Sequence, residues 1–311
     1  AQRAASHEPA FVARLPASWR FAGSGLAAAL ALTLLLTFSP GAQTTAAAFL
    51  AQFRSQQVAA VEISPSSQAE IARTLGTLAN LGHLQASNTA VVRGTAVPRL
   101  PEARVASLSE ANQQVGFALR TPNPAALPAG LEPTPKVQVI PANQIRFTFD
   151  KSRASSYLRS RGQAQVNLPD RFDGATLVVS MPAAALLSYS GKDTPQALVI
   201  GQSGELVVDV QGQVSLDEMR DFLLGLPGLP RETTEQLRMM RNWSQTLPVP
   251  IPSDRVHWKN ESFQGSQGLL LNDNSGVGSA AIWQSGGRLY GVAGSLKADE
   301  LKRVADSLAV R

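Results

Sequence analysis

The sequence predicts an α+β fold: curved antiparallel sheets with packed helices, preceded by one N-terminal transmembrane helix. Three observations predict it. Strand-like runs come in consecutive groups separated by single helices, not in βαβ alternation. Two helix starts carry capping boxes, Ser107-Leu108-Ser109-Glu110 and Ser215-Leu216-Asp217-Glu218. One uncharged stretch, residues 21–39, has close to the length that crosses a bilayer as a helix.

That stretch comes first along the chain. Its core, residues 26–38, is built from Leu, Ala, Thr and Phe. A segment in lipid must satisfy its own backbone, which requires a helix. Trp19 and Arg20 stand at its start, where an interfacial aromatic and a snorkelling cation belong, and Pro40-Gly41 end it. Arg3, Arg14 and Arg20 precede it, and the next basic residue is Arg54. The positive-inside rule then makes residues 1–20 a short cytoplasmic segment. Everything after Pro40 is placed outside, in a single-pass protein of the cell membrane. A cleaved signal peptide is the rival reading, because small residues follow at Ala42 and Ala46 to Ala48. Against it, no A-x-A site directly follows the apolar run.

The remaining elements follow in order. Residues 46–56 form a short Ala-rich helix, and residues 58–63 alternate as a strand. Ser64-Pro65 opens a helix with Ile71, Leu75 and Leu78 on one face, closed by Gly82. Residues 91–97 are a second strand. The Ser107 capping box starts a helix carrying Leu108, Ala111 and Val115, and Gly116 stops it. Residues 121–135 hold five prolines and read as an ordered-turn or linker region, the best candidate internal boundary. The extracytoplasmic part is thereby divided into residues 46–120 and a C-terminal α+β part, residues 136–311.

Residues 137–140 and 145–149 are expected as a hairpin, with Ile145, Phe147 and Phe149 on one face. Asp150 caps a helix whose face is Ala154, Tyr157 and Leu158. Short apolar runs near Leu177, Leu186, Leu198 and Val207 read as an antiparallel sheet. The Ser215 box starts a helix with Leu216, Met219 and Leu223 inward, and residues 233–243 are its helical partner. Residues 256–258, 268–271, 279–283 and 288–292 are strands, the last two joined by Ser285-Gly286-Gly287. Leu301, Val304, Ala305 and Leu308 mark an amphipathic terminal helix.

Composition removes several classes of chemistry. The 311 residues contain no cysteine, which excludes disulfides, thiolate nucleophiles and cysteine-ligated metal sites. The net charge is +5, but Lys and Arg are scattered, with no basic run interleaved with aromatics, so no nucleic-acid partner is expected. His7, His83 and His257 are too dispersed to form a ligand motif.

Local motifs add no reaction. Gly201-Gln202-Ser203-Gly204-Glu205 lacks nucleophile-elbow spacing. Residues 276–279 lack the third glycine and lysine of a phosphate loop. Residues 271–276, with Asn272, Asp273 and Asn274, lack the spacing and terminal Glu of a calcium loop and read as a β-turn. Asp193 and Asp209 have no carboxylate partner at a recognisable spacing. Trp243, Trp258 and Trp283 are assigned to core packing ahead of ligand stacking. The expectation is therefore no catalytic, cofactor-binding or metal site, no cofactor, and no enzyme.

Ser107-Leu-Ser-Glu-Ala111, Val115-Gly-Phe117, Leu127-Pro-Ala-Gly-Leu131, Ala281-Ile-Trp283, Gly286-Gly-Arg-Leu-Tyr290 and residues 296–308 together resemble the extracytoplasmic domain of uncharacterised bacterial membrane proteins. These are related to anti-sigma-factor regulators and sporulation-associated proteins, and distantly similar to lipoprotein carriers. The resemblance implies a curved antiparallel sheet with helices lying on it. It also implies a sensor or binding domain for an envelope protein or lipid ligand in envelope signalling. The alternative it implies is an exported lipid- or lipoprotein-binding carrier-like module. Its motifs specify caps and turns rather than reactions.

Overall fold

The computed structural model describes residues 57–64, 80–86, 89–92, 95–98, 101–191, 196–225, 230–240, 246–274, 276 and 278–310. The candidate span at residues 21–39, the helix expected over residues 46–56, most of the helix opened by Ser64-Pro65, and His7, Asp193 and Trp243 lie outside them.

In chain order the strands and α-helices are β1 (Gln57–Ile63), β2 (Gly82–Ala86), β3 (Thr89–Val92), β4 (Thr95–Pro98), β5 (Arg104–Val105), α1 (Leu108–Val115), β6 (Arg120–Thr121), β7 (Lys136–Ile140), β8 (Asn143–Phe149) and α2 (Lys151–Ser160). Then come β9 (Thr176–Met181), β10 (Ala184–Ser190), β11 (Ala197–Gly204), β12 (Val207–Gln211), α3 (Leu216–Gly225), α4 (Arg231–Met239) and β13 (Thr246–Pro252). The chain finishes with β14 (Val256–Phe263), β15 (Ser266–Asp273), β16 (Ser279–Ser285), β17 (Arg288–Gly294), α5 (Ala298–Asp306) and β18 (Ala309–Val310).

Strands dominate, and the α+β expectation is corrected to a mostly β protein. An eight-stranded antiparallel sheet runs β14-β15-β16-β17-β11-β10-β7-β5, and a four-stranded one runs β12-β9-β8-β2. Two-stranded pairs β1-β13, β18-β6 and β3-β4 complete the set. The single strand expected over residues 91–97 is divided between β3 and β4, which pair with each other.

The two large sheets share three strands that bend from one into the other. Residues 137–140 and 145–149, expected as two arms of a hairpin, do not pair. β7 pairs with β10 and β5, while β8 pairs with β9 and β2. The intervening Pro141-Ala142 has no positive φ, which a two-residue hairpin turn requires, so the chain bends and continues. β9 passes into β10 through Pro182-Ala183, and β11 into β12 through Glu205-Leu206. The register is kept on both sides of the bend: Ala184 pairs with Ile140 and Ser203, and Ser180 with Gln144 and Val207.

Each sheet has its own core. On the four-stranded sheet Ile145, Phe147, Phe149, Leu177, Val179, Val208 and Val210 meet Ala154 and Leu158 of α2 and Met219 and Leu223 of α3. On the eight-stranded sheet Leu187, Tyr189, Ile200, Trp283, Tyr290 and Val292 lie under Ala111 of α1 and Leu301, Val304 and Ala305 of α5. The opposite face of that sheet packs Leu269 and Ile282 against Val249 and Ile251 of β13. The helices form where their caps predict. Ser107 Oγ accepts from the Glu110 amide at 3.2 Å, and the Glu110 carboxylate accepts from the Ser107 amide at 2.7 Å. The Ser215–Glu218 box closes at 3.1 and 2.6 Å. Gly116 terminates α1 at φ 78.

The strand β13 has no counterpart in the sequence reading, and Pro248, Pro250 and Pro252 are unusual residues for a strand. It forms because all three prolines share one parity. The backbone groups of Leu247, Val249 and Ile251 remain to serve the parallel partner β1, and Ser253 N donates to Ile63 O at 3.1 Å in the same phase. The Pro-rich stretch at residues 121–135 is ordered. Leu131 joins the core of the eight-stranded sheet, and Ala111 and Leu119 before it share that core with strands after it.

Among the described residues no helix is long and apolar enough to cross a membrane. Their longest helices, α2 and α3, have 10 residues each. At about 1.5 Å per residue they fall far short of a bilayer core. The single-pass topology, with a transmembrane helix, a cytoplasmic N-terminus and an extracytoplasmic domain, finds no support among the described residues and is carried no further.

Candidate binding face

Strict alternation in β8 turns Ile145, Phe147 and Phe149 into the core and Gln144, Arg146 and Thr148 to the opposite face. Register then fixes their neighbours. Gln85, Arg146, Val178 and Asp209 form one row across β2, β8, β9 and β12. His83, Thr148, Thr176 and Gln211 form the next, and Gln144, Ser180 and Val207 lie on the other side. The result is a polar plate on the face opposite α2 and α3.

Arg146 is its centre. Its guanidinium donates to Gln211 Oε1 at 2.7 Å and to Gln144 Oε1 at 3.3 Å. A side chain reaching from β8 to β12 must cross β9, where Val178, the register partner of Arg146 on this face, is only 4% exposed. Among the described residues no carboxylate pairs with Arg146, so its charge is hydrogen-bonded but not neutralised. Gln144 Nε2 donates to Ser180 Oγ at 3.1 Å, and the Thr148 and Thr176 hydroxyls lie 2.8 Å apart. Asp209 turns inward on itself, Oδ1 accepting from the Val210 amide at 2.8 Å.

At one corner His83 Nε2 lies 3.3 Å from Asp150 Oδ2. Asp150 Oδ1 accepts from the Arg153 amide at 2.9 Å and from Ser152 Oγ at 2.7 Å. These bonds, the Arg153 amide first, pull the Asp150 carboxyl down from 3.8 to about 2. The carboxylate stands between histidine and hydroxyl, whereas a nucleophilic triad places the histidine between the other two. The corner therefore caps a helix, and no proton relay to Ser152 is built.

The other sequence candidates disperse. His257 lies on β14, across from Asn272. In the Gly201–Glu205 run, Gln202 is buried and its amide grips Arg120, accepting from N at 2.9 Å and donating to O at 2.7 Å. The Asn-Asp segment is a turn: Asp273 Oδ1 accepts from the Gly278 amide at 3.2 Å, and Asn274 Nδ2 donates to Asp254 O at 2.8 Å. No group of three metal-ligating side chains gathers among the described residues. Trp283 is fully buried, stacked between Phe263 and Tyr290 at 5.0 and 5.4 Å. Trp258 donates to Glu62 Oε1 at 2.8 Å.

The plate was not singled out from sequence. Its signal was the polar half of the alternation whose apolar half, Ile145, Phe147 and Phe149, was legible. Which polar residues of β9 and β12 stand beside Arg146 depends on pairing at separations of 28 residues and more, which no local pattern carries.

The chain matches no family model, no curated protein and no solved structure in comparisons with each. The resemblance to anti-sigma-regulator-like domains therefore rests on the quoted motifs alone. Fold and face together define a mostly β protein whose two large sheets are linked by three bent strands, with one polar sheet face outward.

Proposed function

We propose that this protein is a binding module that docks a polar protein surface on the plate of β2, β8, β9 and β12. The observation that carries this reading is Arg146. It is held between β8 and β12 by two amide oxygens, has no carboxylate partner among the described residues, and is ringed by hydroxyl and amide groups. Such a grid offers donors and acceptors at the strand spacing of about 4.8 Å, and a pre-fixed arginine is a common energetic centre of an interface.

The carrier alternative calls for an apolar concavity. Both faces of the eight-stranded sheet are instead filled, one by α1 and α5 and the other by β1 and β13. The interaction reading is therefore preferred.

The test is site-specific photo-crosslinking in the native host. A crosslinker at Thr148 is expected to trap one discrete protein, and Arg146→Glu is expected to abolish the adduct while the fold is kept. Unchanged trapping by Arg146→Glu, or co-purification of a stoichiometric lipid seen by native mass spectrometry, would overturn the proposal.

A further inference from the structure

The β14 edge of the eight-stranded sheet carries an open hydrogen-bonding run with defined ends. The β14–β15 loop is Gln264-Gly265, both left-handed at φ 52 and 80. A two-residue turn of this kind makes its flanking pair, Phe263 and Ser266, exchange backbone bonds. Bonding toward β15 then falls on Phe263, Glu261, Lys259 and His257. Asn274 N donating to Arg255 O continues the same phase. The backbone groups of Ser262, Asn260, Trp258 and Val256 consequently point away from the sheet.

Ser262 is closed. Its carbonyl accepts from Lys302 Nζ at 2.6 Å, and its amide donates to Glu261 Oε1 at 3.2 Å. At the far end the Asp254 carbonyl accepts from Asn274 Nδ2. Between these ends the backbone groups of Val256, Trp258 and Asn260 have no partner among the described residues. Asn260 is exposed.

We infer that this edge pairs antiparallel with β14 of a second copy about a two-fold axis at Trp258. That register uses the open positions and no others. Val256 faces Asn260 of the second copy, Trp258 faces Trp258, and Asn260 faces Val256. On the other sheet face Arg255, which Asp254 of its own chain holds at 3.3 Å, lies opposite Glu261, which its own Lys259 and Lys302 already hold, and His257 lies opposite Lys259. A lysine on an edge strand ordinarily discourages such pairing. Here Lys259 is tied to Glu261 of its own strand at 3.0 Å and does not meet its own counterpart. The contact is short, at the small end of interface sizes, so the dimer is weak. The inference is independent of the polar plate.

Sedimentation equilibrium of the full chain is the test, with amide exchange read at Val256, Trp258 and Asn260. A monomer–dimer equilibrium is expected, with those three amides protected only at concentrations where the dimer forms. Asn260→Pro removes a donor that faces away from β15, so it is expected to leave the fold intact and abolish dimerisation. His257→Glu places a carboxylate opposite Lys259 and is expected to tighten the dimer severalfold. A chain that stays monomeric at high micromolar concentration overturns the inference. So does a dimer whose Trp258 and Asn260 amides exchange as fast as in the monomer, because such a dimer uses another surface.

Discussion

Two glutamines in this protein act as one-residue strands, and burial separates their importance. Gln202 saturates both backbone groups of Arg120, and Gln236 does the same for Glu62, accepting from its amide at 2.8 Å and donating to its carbonyl at 3.0 Å. Gln202 is 1% exposed, whereas the Glu62 site is open to water that can replace the lost bonds. Gln202→Ala is expected to cost about 1–3 kcal/mol in urea unfolding, and Gln236→Ala only a few tenths. Asp150 sets a pH dependence at the same scale. Its folded-state pKa of about 2 lies below its ordinary 3.8. The stability it supplies is thus full above pH 3.8 and lost as pH falls through about 2. Asp150→Asn keeps a competent helix cap without the charge. The stability gap between wild type and Asp150→Asn, followed by chemical unfolding, is expected to shrink to nothing across that window.

Packing between elements turns on a close approach at Gly268 in β15. A Cβ there would lie 2.5 Å from Ile282 O and 2.6 Å from Trp283 Cβ. The missing side chain lets Phe263 of β14 reach across β15 and stack on Trp283 of β16. Gly268→Ala is expected to destabilise by about 1–3 kcal/mol through overpacking, read as a lowered melting temperature. Local chemistry also explains which elements were legible. Capping boxes at Ser107 and Ser215, the Asp150 cap and the Gly286-Gly287 turn act within a few residues, and α1, α2, α3 and the β16–β17 hairpin stand where they predict. β13 was illegible because its prolines are acceptable only with one edge unpaired, a condition set by β1 at a separation of 189 residues.

Over the whole molecule, three strands running through both sheets join the two cores mechanically. Separating the sheets at Pro141-Ala142, Pro182-Ala183 and Glu205-Leu206 would strain pairs that each continuous strand makes in both sheets. Residues 101–310 are therefore expected to melt in one transition, with calorimetric and van't Hoff enthalpies equal. Two separate transitions would show that the bend is a hinge between independent units. The polar plate depends on the same strands, since Arg146 follows the bend directly.

The sequence by itself determined the helix caps, the glycine turn, the alternation in β8 and the strands near Leu177, Leu186, Leu198 and Val207. It also excluded cysteine chemistry. Each rests on interactions between residues close in the chain. The tertiary structure alone decided that β7 and β8 are one bent strand, that strands outweigh helices, that β13 exists, and that Arg146 lies between Gln144 and Gln211. Those outcomes depend on which distant segment supplies the partner for each backbone amide, and that choice is made by the packing of both cores together.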